Sequence, residues 1–218
     1  MSQKLRQRPL AERFDHLLNV ISGERFLYMK GLNNDLPFYI CDYSASEAVD
    51  MRRLQHQLAN KLASLNLPYL GGRGVNVLEI NLYDLTIDLL RNREGSNEGV
   101  SLWDQIIQNE PDYDKDGLLE LLQNVLDPRE HLIPAIAERL APDNFDVLFL
   151  SGIGEVFPYI RSHNVLNNLQ STAKHKPTVM FFPGEYRYSL AHGASLELFG
   201  RLHDDKYYRA FNIFETQA

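Results

Sequence analysis

The sequence predicts an α/β fold with a mainly parallel five-stranded sheet flanked by helices. The runs Asp146–Ser151 and Thr178–Phe182 are short and mostly apolar, which is typical of strands buried on both faces of a parallel sheet. Longer amphipathic segments alternate with the strand-like runs, as they do in α/β domains. The hydrophobic fraction of 44% is ordinary for a globular core.

The first half of the chain shows both periodicities clearly. Leu10–Ile21 places Phe14, Leu17 and Leu18 on one stripe at helical spacing, whereas Val75–Leu82 alternates apolar and polar residues, as in a strand with one wetter face. The predicted elements are a helix at Leu10–Ile21, a strand at Leu36–Tyr43, a helix from Ser44 or Ser46 to about Leu65, a strand at Val75–Leu82 and a helix at Asp84–Arg91.

In the second half, prolines separate the predicted helices, because an interior proline breaks a helix. The predicted elements are helices at about 101–109, 115–126 and 129–140, a strand at Asp146–Ser151, a helix at Pro158–Gln170, a strand at Thr178–Phe182 that ends at Pro183-Gly184, and a strand at Arg209–Phe214. We interpret residues 1–218 as a single α/β domain with a helical insertion at about 99–142.

Charge is unevenly distributed along the chain. The net charge is −7; residues 1–30 carry +3, residues 31–150 carry −11 and residues 151–218 carry +1. Nucleic-acid affinity comes mainly from Lys and Arg at phosphates, so the acidic middle argues against direct nucleic-acid binding. It favours a partner protein with a basic surface instead.

No apolar run has the length of a membrane span and no apolar leader follows the N-terminus, so we expect a cytoplasmic protein.

The segment Phe149–Asn164 raises the question of a phosphate site, because Gly152 and Gly154 lie between a strand and a helix. A dinucleotide fingerprint needs a third glycine where this chain has Phe157, and Glu155 would place a carboxylate near the phosphates. A Gly-Lys pair, needed for a Walker loop, occurs nowhere in the chain. The simpler interpretation is that the glycines allow a positive φ or close packing in a tight turn.

Two patterns resemble metal sites without completing them. Asp112, Asp114, Asp116 and Gly117 match a calcium loop, but Gln123 stands where the bidentate glutamate belongs. We interpret that stretch as an acidic loop that leads into a helix beginning near Asp116. The seven histidines are dispersed, so we predict no metal site.

Nucleophilic catalysis also lacks a complete motif. Ser151 is not part of Gly-x-Ser-x-Gly, and Cys41 is better interpreted as a small buried hydrophobe. We therefore predict no catalytic residues and no cofactor.

The segment 193–211 is dense in arginine and tyrosine, residue types that are frequent at protein interfaces. Packing of its aromatic residues beneath the last strand and stacking on nucleic-acid bases are the alternatives. The candidate partner or ligand surface comprises Gly152, Gly154, Glu155, Arg161, His163, Arg201, His203, Asp204, Asp205, Lys206, Tyr207 and Arg209.

Five segments resemble the BrxB family of BREX phage-exclusion systems: Arg13–Ile21, Val77–Leu85, Phe149–Leu169, Pro177–Tyr186 and Gly200–Ile213. The strand pattern is also similar to the core of P-loop ATPases, or a Rossmann-like core, without a phosphate loop; Asp146–Ser151 takes the place of the second motif strand.

The family resemblance implies a component of an anti-phage assembly. Together with the missing catalytic motifs and the uneven charge, it leads us to predict a non-catalytic adaptor. Its implied partner is a PglZ-type protein with an alkaline-phosphatase-like domain, and the methyltransferase and large ATPase of the same system are further candidates. Two alternatives stay open. One is a nucleotide- or metal-dependent enzyme with a site around Gly152–Glu155, Arg161 and His163; the other is a DNA-binding accessory subunit using the basic N-terminus and the Arg/Tyr tail.

Overall fold

A parallel sheet organises the protein, as predicted. The computed structural model describes residues 5–32, 37–169, 172–189, 193–204 and 210–217. The strands are β1 (Phe38–Tyr43), β2 (Val77–Asn81), β3 (Val147–Ser151), β4 (Thr178–Ser189), β5 (Gly193–Leu198), β6 (Leu202–Asp204) and β7 (Phe211–Asn212). Five of them form a parallel sheet in the order β2-β3-β4-β1-β7.

Helices cover both faces of this sheet. They are α1 (Leu10–Ile21), α2 (Glu24–Leu27), α3 (Ala48–Ala63), α4 (Leu82–Asn92), α5 (Leu102–Asn109), α6 (Lys115–Val125), α7 (Ile133–Leu140) and α8 (Ser162–Leu169). A π-helical turn, Pro128–Leu132, precedes α7. None of the helices in the described ranges is both long enough and apolar enough to cross a membrane.

The sheet separates two hydrophobic cores, because successive side chains of a strand point to opposite faces. In β3, Val147 and Phe149 pack with α1 and α3, whereas Leu148 and Leu150 pack with the helices that follow β2 and β3. The apolar residues of β3 are all fully buried. This explains why β3 has a continuous apolar run rather than an alternating one.

Strand β4 differs from the sequence prediction, which ended it at Pro183-Gly184. It continues to Ser189, and its second half pairs antiparallel with β5, which in turn pairs with β6. Gly184 permits this continuation because a Cβ there would lie 2.2 Å from the carbonyl oxygen of Glu197. The prediction was wrong because a Pro-Gly pair usually marks a turn, whereas here the pair continues as strand.

Other elements in the second half of the chain also differ from the prediction. The helix predicted to start at Pro158 begins only at Ser162, after a series of turns. The predicted strand Arg209–Phe214 is reduced to β7, because the Asn212 side chain accepts from the Phe214 N–H and starts a 3₁₀ turn. Neither β5 nor β6 was predicted, since their pairing partner is the unexpected continuation of β4.

Candidate functional site

The carboxyl ends of the parallel strands are where α/β proteins usually bind ligands. In this protein, Gly152 directly follows β3 with φ +77°, and a Cβ there would lie 2.3 Å from Asn81 Oδ1. That oxygen accepts hydrogen bonds from the backbone N–H groups of Tyr83 and Asp84 and so caps α4. Gly152 is therefore required for a positive φ and for close packing against a helix cap, as the sequence interpretation proposed.

Gly154 has a different role from Gly152. A Cβ at Gly154 would lie 2.8 Å from Phe199 Cε1 and 2.9 Å from Pro183 Cγ. The Phe199 ring thus lies directly on the Gly154 backbone, and it meets Phe157 edge to face with the centroids 6.4 Å apart. Phe157, which replaces the third glycine of a dinucleotide motif, is part of an aromatic contact.

Phe199 is held in an unfavourable backbone conformation. Its φ is +57° and that of Gly200 is +67°, in the turn between β5 and β6. Bulky residues seldom adopt a positive φ, and turns of this kind favour Asn followed by Gly. The Phe199 N–H donates to the Pro183 carbonyl oxygen at 2.8 Å, which fixes the turn beside β4. The ring nevertheless stays 38% exposed.

Other aromatic side chains continue this surface. Tyr83 is 40% exposed, and Tyr159 is partly buried and donates to the Glu155 carbonyl oxygen at 3.4 Å. Burial, the largest cause, and the neighbouring Tyr83 raise the pKa of Tyr159, while a hydrogen bond between the Tyr159 and Thr86 side chains opposes the rise. We call Tyr83, Phe157, Tyr159 and Phe199 the aromatic rim.

A second cluster lies at the end of β1, around Asp42. Asp42 is 1% exposed, and its Oδ2 accepts from the Tyr186 N–H at 3.1 Å and lies 3.2 Å from Arg6 Nε. Arg6 also donates to the Gly184 carbonyl oxygen at 2.6 Å, and Asn212 approaches the other Asp42 oxygen at 3.4 Å. The cluster ties the N-terminal segment to β1, β4 and β7.

Burial raises the pKa of Asp42 above its ordinary value, while Arg6 and the Tyr186 N–H oppose that rise. Both Asp42 oxygens are engaged by protein groups, so this carboxylate is occupied in holding the chain together. The cluster could not be predicted from the sequence because its members are far apart in the chain and no local motif connects them. The one available signal was an acidic residue within an otherwise apolar strand.

A buried arginine lies on the other side of β1. Arg13 is 2% exposed, and its guanidinium pairs with Glu47. Glu47 also accepts from the Ser44 N–H and so completes a capping box before α3. This segment, Asp42–Ala48, is where a phosphate loop would follow the first strand, and it contains neither Gly nor Lys. Its polar groups instead stabilise a helix start.

The predicted surface residues are only partly brought together. Gly152, Gly154 and Glu155 form one turn, in which Glu155 pairs with Arg52 of α3. Arg161 is exposed just before α8, His163 is buried in its first turn, and Arg201 is exposed beside Phe199. Asp205, Lys206, Tyr207 and Arg209 lie outside the described residues, as do the side chains of His203 and Asp204.

The calcium-like stretch forms a helix cap. The Asp114 side chain accepts from the Gly117 N–H at 2.7 Å and so caps α6, which begins at Lys115, the start predicted for the helix at about 115–126. Within the part of the chain that is described, no three His, Cys, Asp or Glu side chains are grouped so that they could hold a metal ion.

The fold and these contacts define an α/β protein in which no phosphate loop follows the first strand and internal contacts occupy the strand ends. Comparison with known proteins then shows the family. The BREX protein BrxB family model matches residues 78–213, and the chain belongs to the BrxB family of BREX phage-exclusion systems.

Two relatives are similar over nearly their whole length. A BREX protein BrxB from Bacillus cereus (strain H3081.97) is 31% identical over 95% of this chain and 99% of its own. A BREX protein BrxB from Escherichia coli O9:H4 (strain HS) is 25% identical over 94% of this chain and 91% of its own. No solved structure matches.

Proposed function

We propose that this chain is a non-catalytic adaptor of the BREX assembly, located in the cytoplasm, and that it docks a PglZ-type protein through the aromatic rim. The observation that carries the proposal is that the aromatic Phe199 stays 38% exposed although its backbone is held at φ +57°. Backbone strain of this kind persists where the surrounding structure imposes it, and it is concentrated at functional sites.

The chemistry of the rim suits a protein partner. Rigid aromatic rings supply contact area at little entropic cost, and Tyr and Arg are frequent among residues that dominate binding energy. Beside the rim, Arg52 and Glu155 form an exposed ion pair, and Arg201 is exposed next to Phe199. A hydrophobic centre bordered by charged residues is the usual arrangement of a protein interface.

The internal contacts at the strand ends support an adaptor over the enzyme alternative. Gly152 and Gly154 are packed against side chains, and the Asp42 carboxylate is bound by Arg6 and by a backbone N–H. A catalytic acid or base needs access to its substrate, whereas a docking surface needs only the exposed rim.

The decisive experiment changes Phe199 to Asn. Asparagine tolerates a positive φ, so Phe199→Asn should gain about 1 kcal/mol of stability from relieved backbone strain. It should lose about 1 kcal/mol with the Phe157 contact. We expect the melting temperature to change little. Affinity for the PglZ-type protein of the same BREX system, measured by calorimetry, should fall about tenfold or more, as for an interface residue of high energetic weight.

Tyr28→Asn serves as the matched control. Tyr28 is 49% exposed, and its hydroxyl donates to the Tyr69 carbonyl oxygen, near the amino end of β2 and away from the rim. It should leave affinity unchanged. Failure of the wild-type chain to bind the PglZ-type protein at micromolar concentration would refute docking itself. Equal affinities of wild type and Phe199→Asn would refute the rim as the surface.

A further inference from the structure

We propose that the corner formed by α5 and α6, residues 104–120, binds a basic amphipathic segment of a partner protein. Two large apolar side chains of this corner are left uncovered. Ile107 is 49% exposed and Tyr113 is 40% exposed. The Tyr113 ring lies beside the first turn of α6, since a Cβ at Gly117 would be 3.6 Å from Tyr113 Cδ1.

Helix α6 is itself incompletely covered. No residue of α6 is fully buried, although Leu118, Leu121, Leu122 and Val125 pack against the core on one side. Leu119 is half-buried and lies off that stripe. Single exposed apolar residues are common on protein surfaces, but here Ile107 lies in α5 and Tyr113 lies just before α6, a helix without any fully buried residue. A partner helix can cover an apolar face of this kind.

The negative charge of the corner indicates what kind of partner segment it binds. Residues 104–120 contain six acidic side chains and one basic side chain, Lys115, and all six acidic residues are exposed. Asp104 accepts from Ser101 Oγ and Asp114 caps α6. The acidic residues of the corner that form no ion pair in the described ranges include Glu110, Asp112, Asp116 and Glu120.

Elsewhere on the protein, several carboxylates pair with nearby cations. Such pairs are Glu24–Lys30, Asp50–Arg53, Asp88–Arg139, Asp146–Arg73, Glu155–Arg52 and Glu185–Arg187. The corner thus carries a concentrated negative charge around its apolar residues, and within the described residues none of its six carboxylates pairs with a cation. A partner that supplies Lys or Arg around Leu-like side chains would satisfy both features.

This combination excludes other kinds of occupant. A nucleic acid or an anionic membrane would be repelled by the carboxylates, and a purely polar cationic peptide would leave Ile107 and Tyr113 uncovered. A helix with a stripe of leucines flanked by cationic residues covers the apolar side chains and pairs the charges. The inference rests on the corner alone and does not depend on the aromatic rim.

The test uses two synthetic helical peptides of about eighteen residues, a length that forms a helix on binding. One peptide has a stripe of leucines flanked by lysines. The other has the same lysines with serine in place of each leucine. Binding is followed by fluorescence anisotropy. We expect the lysine/leucine peptide to bind about tenfold more tightly than the lysine/serine peptide, because only the first covers apolar surface. Equal binding of the two would reduce the effect to net charge and overturn the proposal.

Matched variants locate the site. Glu110→Gln/Asp112→Asn/Glu120→Gln should weaken the lysine/leucine peptide about tenfold, with a loss that diminishes at high salt. The control Glu12→Gln/Asp50→Asn/Glu215→Gln removes the same charge from other surfaces and should have little effect. Equal losses in the two triple variants would refute a local site.

The apolar contribution is tested separately. Ile107→Ser/Tyr113→Ser should weaken the lysine/leucine peptide about fivefold or more, by loss of exposed apolar contact area, whereas Tyr28→Asn should not. An unchanged affinity in the double variant would overturn the proposal. Sedimentation of the chain alone tests whether a second copy of the chain binds this surface instead. A dimer that dissociates in Ile107→Ser/Tyr113→Ser would show that a second copy, not a basic segment, fills the corner.

Discussion

Replacing Arg6 with methionine should destabilise the protein in a pH-dependent manner. Arg6 is the cation that accompanies the buried Asp42 carboxylate, with Nε 3.2 Å from Asp42 Oδ2. It also donates to the Gly184 carbonyl oxygen at 2.6 Å. Methionine keeps much of the aliphatic length of arginine and removes both contacts.

The magnitude follows from the burial of the two partners. Hydrogen bonds to charged groups contribute about 1.5–3 kcal/mol, and a buried charge left unpaired costs more than a lost neutral contact. Asp42 is 1% exposed but the Arg6 side chain is 23% exposed, so solvent screens part of the interaction. We expect the free energy of unfolding to fall by about 2 kcal/mol at neutral pH.

The sign of the pH dependence follows from the pKa of Asp42. Burial raises this pKa and Arg6 opposes the rise, so removing Arg6 raises the pKa in the folded state further above the unfolded value of about 3.9. Stability from a group with a raised pKa is fully present below the unfolded pKa and is lost as pH rises through the folded pKa. The cost of Arg6→Met should therefore be larger at about pH 7.5 than at about pH 4.5.

Urea unfolding at both pH values measures this cost, and Arg8→Met is the matched control. Arg8 is 55% exposed and lies 3.8 Å from Glu12, so its loss should cost at most about 0.5 kcal/mol at either pH. A double-mutant cycle with Asp42→Asn then isolates the coupling of the pair. An Arg6→Met cost as small as that of Arg8→Met, or one that does not change with pH, would refute the reasoning.

Two further predictions concern the glycine turn and a surface ion pair. Gly152→Ala should lower the free energy of unfolding by about 3 kcal/mol, through strain at a positive φ and overlap with Asn81. The control Gly99→Ala, at φ +76° with open space around it, should lower it by only about 1 kcal/mol. Equal melting temperatures of the two variants would contradict this. Burial alone would raise the pKa of Asp146, but hydrogen bonds from Arg73 and a backbone N–H lower it, so its stabilisation is present above the unfolded pKa and is lost as pH falls. Arg73→Ala should cost about 1 kcal/mol near pH 7, since Arg73 is largely exposed, and almost nothing below about pH 3. A loss that grows toward acid would refute it.

Much of the fold could be predicted because the local pattern and the tertiary environment agree. Helix α1 has its predicted bounds, Leu10–Ile21, since its apolar stripe faces one core. The apolar run of β3 correctly indicated burial on both faces. Gly152 was correctly interpreted as a packing glycine because Phe157 and Glu155 do not fit a phosphate site.

The candidate site could be predicted only in part. The turn Gly152–Glu155 was selected because glycines after a strand are visible locally, but Phe199 was not selected. Its importance depends on a ring that lies on Gly154 and on a positive φ, neither of which a sequence displays. The predicted surface at positions 203–209 stays a prediction.

The sequence by itself determined the α/β class, the parallel strands and the resemblance to the BrxB family, because these follow from periodicity and from long matching segments. Tertiary structure alone decided that β4 continues beyond Pro183-Gly184, that β5 and β6 pair with that continuation, and that Arg6 reaches Asp42. The physical reason is that strand pairing and buried ion pairs join residues distant in the chain, and local composition does not specify which distant groups will meet.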